Sequence, residues 1–251
     1  VVTFQNGVVT SGYTVYGTAT NDADGTAVQE TRIGGSVALT SGTWTHTATP
    51  AIANTHAQNV NGLGVYRLQV KVGGDMTVGA DAKITAQAKG FPQNYGPGRG
   101  SGAGGASHGG TGANGAAPYG SAICPRTAGS GGNGGGGAGG GIIRLNVTGK
   151  LTHNGTITSD AIAGYSAYAP PGGSVWITAA EIEGAGGITA DGKAGLGGYG
   201  PGGGGRVAVH LTGSGKDFSA FTGDIHAYQG YFYNGSTYIK SANCASGTVY
   251  L

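Results

Sequence analysis

The few ionisable side chains of this sequence are where any chemistry would have to begin. The chain has 251 residues but only 11 carboxylates and six histidines. Asp160 and Asp191 each follow a similar short segment, Thr156–Ser159 and Gly187–Ala190. If these segments are neighbouring strands of one sheet, the two carboxylates lie about 4.8 Å apart. That spacing suits a calcium site, and it also suits a catalytic pair, because retaining glycosidases hold their carboxyl groups about 5 Å apart.

Turn formation is a simpler explanation for the same two positions. Asp191 precedes Gly192, and Asp-Gly pairs favour turns because the Asp side chain bonds to nearby backbone groups. A turn, a calcium site and a catalytic pair therefore stay open for Asp160 and Asp191. The histidines show no His-x-His or HExxH spacing, and no Gly-x-Ser-x-Gly motif joins a predicted strand to a helix. We assign no catalytic residue, favour a protein without enzymatic activity, and expect no cofactor other than calcium.

The clearest binding signal is a row of aromatic, cationic and amide side chains. Four segments, beginning at Val65, Ile142, Ser174 and Arg206, alternate apolar and polar residues, so every second side chain faces away from the core. Such a mixed surface suits sugars, which combine apolar CH faces with hydroxyl groups. We predict glycan binding by Arg67, Arg144, Asn146, Trp176, His210 and Tyr250. An ordinary solvated sheet face is the alternative.

These side chains belong to a repeated unit of strand, turn and second short strand. Ile143, Val175 and Val207 follow one another at intervals of 32 residues. No single unit can bury its apolar face, so we expect the units to stack on one another. Stacking predicts one inward ladder through Ile84, Ile157, Ile188 and Ile225, and a second through Leu68, Leu145, Ile177, Val209 and Leu251.

The repeat predicts an all-β protein folded as a parallel β-helix, a solenoid with long glycine-rich inserts. A β-sandwich or jelly roll is the alternative. Glycine supplies 57 of the residues, and between 96 and 141 it is almost every second residue. This segment is either extended chain packed backbone to backbone or a flexible insert. We place an N-terminal β region at 1–62 and the solenoid at 63–251, with the insert at 91–141, in one compact unit.

Composition argues against several classes of partner. Only 10% of the residues are charged, the net charge is +2, and no run of Lys or Arg occurs. We therefore expect no nucleic acid partner, since several phosphates must be contacted together. No apolar stretch of about 18 residues is present, so we expect no membrane insertion. The first residue is Val1, and Lys and Glu are scarce, which together favour a mature extracellular or cell-surface protein.

Cys124 and Cys244 are the only cysteines. An even number permits one disulfide, and we predict that it joins the glycine-rich insert to the last unit. In the chain-entropy description, a crosslink closing so long a loop stabilises a protein by about 4–5 kcal/mol. Two buried free thiols are the alternative.

The stretch from Pro118 to Ser159 places a glycine run before the apolar unit Ile142–Val147. Further on, Gly173–Thr178 and Gly187–Gly192 repeat the arrangement. These segments resemble a repeat of large secreted bacterial surface proteins of the adhesin and matrix type, over about residues 64 to 251. The resemblance implies a glycine-rich parallel β-helix and brings no catalytic residue with it.

Both ends of the sequence are apolar, with Val1, Val2 and Phe4 at one end and Val249 and Leu251 at the other. Unpaired strand edges are templates for association, so we predict that these residues engage neighbouring copies in a filament or surface layer. Pairing within the chain is the alternative. Our first functional hypothesis is a non-enzymatic extracellular structural or adhesive protein, whose partners are copies of itself and polysaccharide. A carbohydrate-binding module, or a polysaccharide lyase or glycoside hydrolase, are the alternatives.

Overall fold

The computed structural model describes residues 2–5, 8–9, 16–21, 27–51, 66–101, 104–162, 168–195, 200–233, 235–240 and 243–251. These residues form strands, turns and irregular chain, with no helix among them. The strands are β1 (Val2–Gln5), β2 (Val8–Val9), β3 (Tyr16–Asn21), β4 (Ala27–Ile33), β5 (Val37–His46), β6 (Leu68–Val72), β7 (Met76–Thr85), β8 (Ile142–Val147), β9 (Lys150–His153), β10 (Thr156–Thr158), β11 (Ser174–Ala179), β12 (Glu181–Glu183), β13 (Gly187–Thr189), β14 (Arg206–Leu211), β15 (Ile225–His226), β16 (Tyr231–Tyr233), β17 (Tyr238–Lys240) and β18 (Thr248–Tyr250).

Most of these strands belong to two sheets that share one apolar core. The nine-stranded sheet has the order β15-β13-β10-β7-β5-β1-β2, with β9 beside β7 and β12 beside β9. The seven-stranded sheet has the order β18-β14-β11-β8-β6-β4-β3. From β6 to β15 the chain passes back and forth between the two sheets. Among the described strands, only the pairs β1–β2, β3–β4 and β16–β17 are antiparallel.

The all-β class is confirmed, but the predicted parallel β-helix is wrong. A β-helix curls its strands into one continuous coil, whereas these two sheets stay open. The glycine-rich segments that complete each repeat form no strands, so no third sheet closes the circuit among the described residues. A jelly roll does not fit either, because its strands are antiparallel and most of the pairings here are parallel.

The apolar ladder of the nine-stranded sheet has the predicted register. Ile84 lies beside Ile157, Ile157 beside Ile188, and Ile188 beside Ile225. The first three of these side chains are fully buried. Period-two alternation is sufficient to predict this ladder because β10, β13 and β15 each contain one large apolar residue, which must face the core beside Ile84 of β7.

The ladder of the seven-stranded sheet differs from the prediction by two residues at β6. Val70, rather than Leu68, lies beside Leu145, and the ladder continues through Ile177 and Val209, whereas the predicted last member, Leu251, is 57% exposed. β6 has an apolar residue at every second position, so a shift of two residues keeps its apolar face inward. The alternation therefore determines which face is buried but leaves the register open.

Glycine-rich chain forms a third component, which we call the glycine-rich layer and define as the described residues of 90–141, 168–173, 200–205 and 243–247. Its segments bond to one another through their backbones, as where Gly140 N–H donates to Pro171 O at 3.1 Å and Gly203 N–H to Ala106 O at 3.0 Å. A Cβ added at Gly140 would lie under 3.0 Å from the backbone of Ser159. Glycine is required there because the chains approach so closely.

The glycine-rich layer also covers one end of the seven-stranded sheet. Ser174 Oγ donates to Thr127 O at 2.6 Å, and Arg206 Nε donates to Tyr119 O at 2.9 Å. Ile142 packs with Phe91 and Ala128 in a second, smaller apolar cluster. These contacts fix the segment from residue 119 to 128 against the outer side of the sheet, where it becomes a wall of the groove described next.

Candidate functional site

A groove of about 280 Å³ lies on the outer side of the seven-stranded sheet. We call it the cationic groove. β4, β6, β8 and β11 supply its floor, and the glycine-rich layer supplies a wall through two residues, Pro125 and Arg126. Its lining residues are Glu30, Arg32, Arg67, Gln69, Lys71, Pro125, Arg126, Ile142, Arg144, Asn146 and Trp176.

Strand register brings the floor residues together. Gln69 of β6 lies beside Arg144 of β8, which in turn lies beside Trp176 of β11. These residues alternate with buried apolar neighbours such as Leu145, so their side chains point away from the core. Residues far apart in sequence thus become adjacent at the spacing of neighbouring strands, about 4.8 Å.

The groove carries a strong positive charge. Five cationic residues line it against one carboxylate, which leaves four positive charges in excess (five minus one). The carboxylate of Glu30 accepts hydrogen bonds from Arg32 Nε at 2.8 Å and from Gln69 Nε2 at 3.0 Å. Burial lowers the pKa of the Arg144 guanidinium to about 10, although the nearby Glu30 carboxylate opposes this effect. An anion entering the groove would offset the cost of holding these cations together.

Two cationic side chains lie close to the ring of Trp176. The guanidinium carbon of Arg144 lies 3.7 Å from the centroid of its ring, and that of Arg126 lies 5.2 Å away. Both distances are within the range of cation–π attraction. Arg144 is itself fixed by hydrogen bonds from Nη1 to Leu145 O at 2.7 Å and to Thr178 Oγ1 at 3.1 Å. The aromatic ring and the Arg144 guanidinium are therefore positioned before any ligand binds.

Three polar atoms of this groove are buried without a hydrogen-bond partner among the described residues. They are the donors Trp176 Nε1 and Arg126 Nε and the acceptor Gln69 Oε1. Most buried polar atoms in folded proteins have a partner, so three exceptions lining one groove call for an explanation. Because these atoms are fully buried, a ligand carrying anionic oxygens and hydroxyl groups would supply their missing partners only by displacing the side chains that cover them.

The structure brings four of the predicted glycan-binding residues together in this groove: Arg67, Arg144, Asn146 and Trp176. Arg67 is 4% exposed and lies one position before β6, so Gln69 takes the place beside Arg144 that the sequence assigned to Arg67. This difference follows from the two-residue shift of β6.

The other two predicted residues extend the surface beyond the groove. The ring centroids of Trp176 and His210 are 6.3 Å apart, and those of His210 and Tyr250 are 5.2 Å apart. His210 Nε2 donates to Ile123 O at 2.8 Å, which ties it to the glycine-rich layer. Trp176, His210 and Tyr250 thus form a line of rings across neighbouring strands.

Sequence reasoning missed four charged residues of the groove. Part of this site could have been predicted, because the alternation of apolar and polar residues marks Lys71 as facing outward. Nothing in the local sequence, however, places Lys71 beside β4 or beside the glycine-rich insert. Arg126 comes from the glycine-rich layer, whose path depends on long-range hydrogen bonds. The missed residues are Glu30, Arg32, Lys71 and Arg126.

A second groove, of about 390 Å³, contains Asp160 and Asp191. We call it the tyrosine groove and define it by Asp160, Asp191, Lys193, Tyr231 and Tyr238. Asp160 Oδ1 accepts a hydrogen bond from Asp191 N–H at 2.8 Å, and Asp191 Oδ1 accepts one from Tyr228 N–H at 2.7 Å. Each carboxylate thus bonds to the backbone of the next repeat, 31 and 37 residues away, so these bonds hold neighbouring repeats together and do not close the local turn expected from the sequence.

The surroundings of Asp191 perturb its ionisation. Burial raises the pKa of the carboxyl group, and the hydrogen bond from His226 Nδ1, at 2.9 Å, opposes this effect. Within the described ranges no group of three or more His, Cys, Asp or Glu side chains is arranged to hold a metal ion. Calcium binding at Asp160 and Asp191 stays a prediction.

Cys124 and Cys244 are both free thiols in the structure, which does not contain the predicted disulfide. Cys244 is buried with Sγ 3.3 Å from Gly202 O, and burial raises the pKa of its thiol to about 12. Cys124 is half-buried beside Ile123 and Pro125, on the segment that covers the seven-stranded sheet. Each cysteine is therefore held by a different part of the glycine-rich layer.

The described residues predicted to mediate assembly are Val2 and Phe4 in β1, Val249 in β18, and Leu251 directly after β18. β1 has β5 on one side and β2 on the other, while Val1 lies outside the described residues. β18 is at one edge of the seven-stranded sheet, with Val249 42% exposed and Leu251 57% exposed. Assembly through these strands stays a prediction.

The described part of the chain contains no helix with the length and apolar character needed to cross a membrane. Comparison of the sequence and structure with models of known families, with curated proteins and with solved structures gives no significant match. The resemblance to bacterial surface-protein repeats and the extracellular location stay predictions. Function must therefore be argued from the two grooves.

Proposed function

We propose that this protein binds an acidic polysaccharide and that the cationic groove is the binding site. One observation carries the proposal: five cationic residues, one carboxylate and a tryptophan line the same groove. Uronate and sulfate groups are anions that guanidinium groups bind through paired, charge-assisted hydrogen bonds. The apolar CH face of a sugar ring is suited to stacking on an indole.

The hydrogen-bonding needs of the groove support a hydroxylated anion over a simple one. Trp176 Nε1 and Arg126 Nε lack acceptors among the described residues, and Gln69 Oε1 lacks a donor. Sulfate, which has no proton to donate, would satisfy only the two donors. A sugar acid offers carboxylate oxygens and hydroxyl donors from one ring, so it carries both kinds of partner that the three atoms lack.

The line of rings beyond the groove supports a chain rather than a single sugar. Trp176, Ala208 and Tyr250 occupy successive positions on neighbouring strands, so Trp176 and Tyr250 are separated by two strand spacings, about 10 Å. A polysaccharide crossing the strands would meet Trp176 first and the His210–Tyr250 pair next. Binding of this kind suits an extracellular adhesive role, and we propose that role on the same grounds.

Titration calorimetry with oligosaccharides tests this function. We expect tetragalacturonate and a sulfated tetrasaccharide to bind, and we expect their affinity to fall as salt is raised, because the attraction is electrostatic. The matched variants are Arg126→Gln and Arg99→Gln, which remove the same charge from the same insert. Arg126 lines the cationic groove, whereas Arg99 is exposed and lines a different cavity.

Arg126→Gln should weaken binding of tetragalacturonate about tenfold, and Arg99→Gln should leave it within a factor of two, since a charge-assisted hydrogen bond contributes about 1.5–3 kcal/mol. Equal losses in both variants would show attraction to the overall charge and would overturn the proposed site. A short DNA duplex is the competing anion. If it binds through Arg126 more tightly than either oligosaccharide, the proposed ligand class is wrong.

Self-association is a second candidate function, favoured by the exposed apolar residues of β18 and by Leu251, which follows it. We propose that the open side of this edge strand pairs with another copy, because Val249, Tyr250 and Leu251 are each more than 40% exposed. Light scattering over a range of concentrations tests it. Particles that grow with concentration, and disappear in the Val249→Lys variant, support assembly, while an unchanging monomer rules it out.

A further inference from the structure

We propose that the tyrosine groove is a second carbohydrate site, independent of the cationic groove, and that it takes an uncharged sugar. The groove measures about 390 Å³ and lies where β10 and β13 of the nine-stranded sheet end. The cationic groove lies on the other sheet, so no residue belongs to both.

The two carboxylates of the tyrosine groove stand side by side. Thr158 and Thr189 are register partners, and Asp160 and Asp191 each follow two residues later, so they occupy equivalent positions on neighbouring strands. Their Oδ1 atoms bond to the backbone of the next repeat. No hydrogen bond reaches either Oδ2 atom from the described residues. An ionised carboxylate can accept about four hydrogen bonds, so each retains capacity for hydroxyl donors.

Two tyrosines supply the apolar part of the groove. Tyr231 is 42% exposed and Tyr238 is 58% exposed, and both belong to the hairpin formed by β16 and β17. The hairpin is joined to the groove floor where Gly195 N–H donates to Tyr231 O at 2.9 Å. Exposed aromatic rings facing hydrogen-bond acceptors are the combination that recognises a sugar ring.

The charge of the groove selects the kind of sugar. Two carboxylates against Lys193 leave one negative charge (two minus one), the opposite sign to the cationic groove. Uronate and sulfate groups would be repelled, whereas neighbouring hydroxyl groups of a neutral hexose can donate to the two Oδ2 atoms. The same protein would thus hold acidic and neutral sugars at separate sites.

Tyr238→Ala and Trp176→Ala form the matched pair of variants for the test. Each removes one aromatic ring, from the tyrosine groove and from the cationic groove respectively. The probes are cellotetraose, mannotetraose and galactotetraose, titrated into the full chain by calorimetry. Tetragalacturonate serves as the acidic probe, and circular dichroism of both variants reports whether the sheets are retained.

We expect at least one neutral tetrasaccharide to bind, to weaken about tenfold in Tyr238→Ala and to be unchanged in Trp176→Ala. If the cationic groove binds acidic sugars as proposed, binding of tetragalacturonate should weaken in Trp176→Ala and be unchanged in Tyr238→Ala. The inference is overturned if no neutral probe binds at millimolar concentration, or if neutral binding depends on Trp176 alone. Because neutral probes report on one groove and the acidic probe on the other, failure of either proposal is visible separately.

Asp160→Asn adds a check that needs no loss of aromatic surface, since the amide oxygen can still accept the hydrogen bond from the backbone N–H of Asp191 while the negative charge is lost.

Discussion

The guanidinium carbon of Arg144 lies 3.7 Å from the centre of the Trp176 ring, although 32 residues separate them in sequence. The parallel pairing of β8 and β11 creates this contact by placing the two residues directly beside each other. Arg144 also donates from Nη1 to the Trp176 carbonyl at 3.5 Å. The pair is therefore part of the sheet as well as part of the cationic groove, and it affects both stability and binding.

The interaction between Arg144 and Trp176 should appear as a coupling energy, obtained from the free energies of unfolding of the parent and its variants. In a double-mutant cycle with Arg144→Gln and Trp176→Leu, we expect a coupling of about 1 kcal/mol, the size of a partly buried cation–π contact. Urea denaturation monitored by circular dichroism gives the four values. A parallel cycle with Arg99→Gln and Trp176→Leu should show no coupling, and equal coupling in the two cycles would contradict the prediction.

Two glycine substitutions should change stability in opposite directions. A Cβ at Gly140 would lie under 3.0 Å from the backbone atoms Ser159 O and Gly173 N, so Gly140→Ala should destabilise the protein by about 1–3 kcal/mol or more. A Cβ at Gly187 would meet nothing within 4 Å. Gly187→Ala should therefore stabilise it by about 0.4–1 kcal/mol, because alanine restricts the unfolded chain.

Thermal denaturation of the two glycine variants beside the parent protein provides the measurement. If Gly140→Ala were tolerated as well as Gly187→Ala, the close backbone packing of the glycine-rich layer would be wrong. The flexible insert considered from the sequence would then be the better description of that segment.

His46 should make the protein sensitive to acid. Its Nδ1 donates to Thr47 O at 2.7 Å, and its Nε2 accepts from the backbone N–H of Ile142 at 3.3 Å, so a second ring proton would face a donor. Burial lowers the pKa of this imidazole from 6.5 to about 4. The unfolded chain then binds the proton more readily than the folded one, so stability is complete above pH 6.5 and falls as the pH drops toward 4.

The His46→Asn variant tests this pH dependence. It should be less stable than the parent at neutral pH but should lose less stability between pH 6.5 and pH 4. Urea midpoints across this range are the measurement. Burial also lowers the pKa of His108, to about 3. The His46→Asn variant should therefore still lose some stability in acid because His108 remains. An unchanged slope in His46→Asn would show that His46 takes no part.

The free thiols predict that reducing agents leave stability unchanged. Thermal midpoints with and without dithiothreitol should agree, since no disulfide joins Cys124 to Cys244. A thiol reagent should modify Cys124 in the native protein much faster than Cys244, because burial raises the pKa of the Cys244 thiol to about 12. A lower midpoint under reducing conditions would contradict the structure and restore the predicted crosslink.

Much of the floor of the cationic groove could be predicted from local alternation. β8 and β11 each place one face in the core, so the outward positions of Arg144, Asn146 and Trp176 follow from sequence alone. The position of Arg67 could not be predicted, because β6 keeps its apolar face inward in either of two registers. Arg126 was beyond prediction, since its place depends on hydrogen bonds such as Ser174 Oγ to Thr127 O.

The sequence by itself determined the all-β class, the strand segments, the inward ladder of isoleucines and the outward face that carries the candidate site. These features are local or strictly periodic, and burial of one face enforces them. Only the tertiary structure decided that the two sheets stay open, that both thiols stay free and that five cations line one groove with Trp176. Those outcomes depend on how distant glycine-rich segments bond to one another, and backbone groups of glycine leave no side-chain pattern from which that pairing could be predicted.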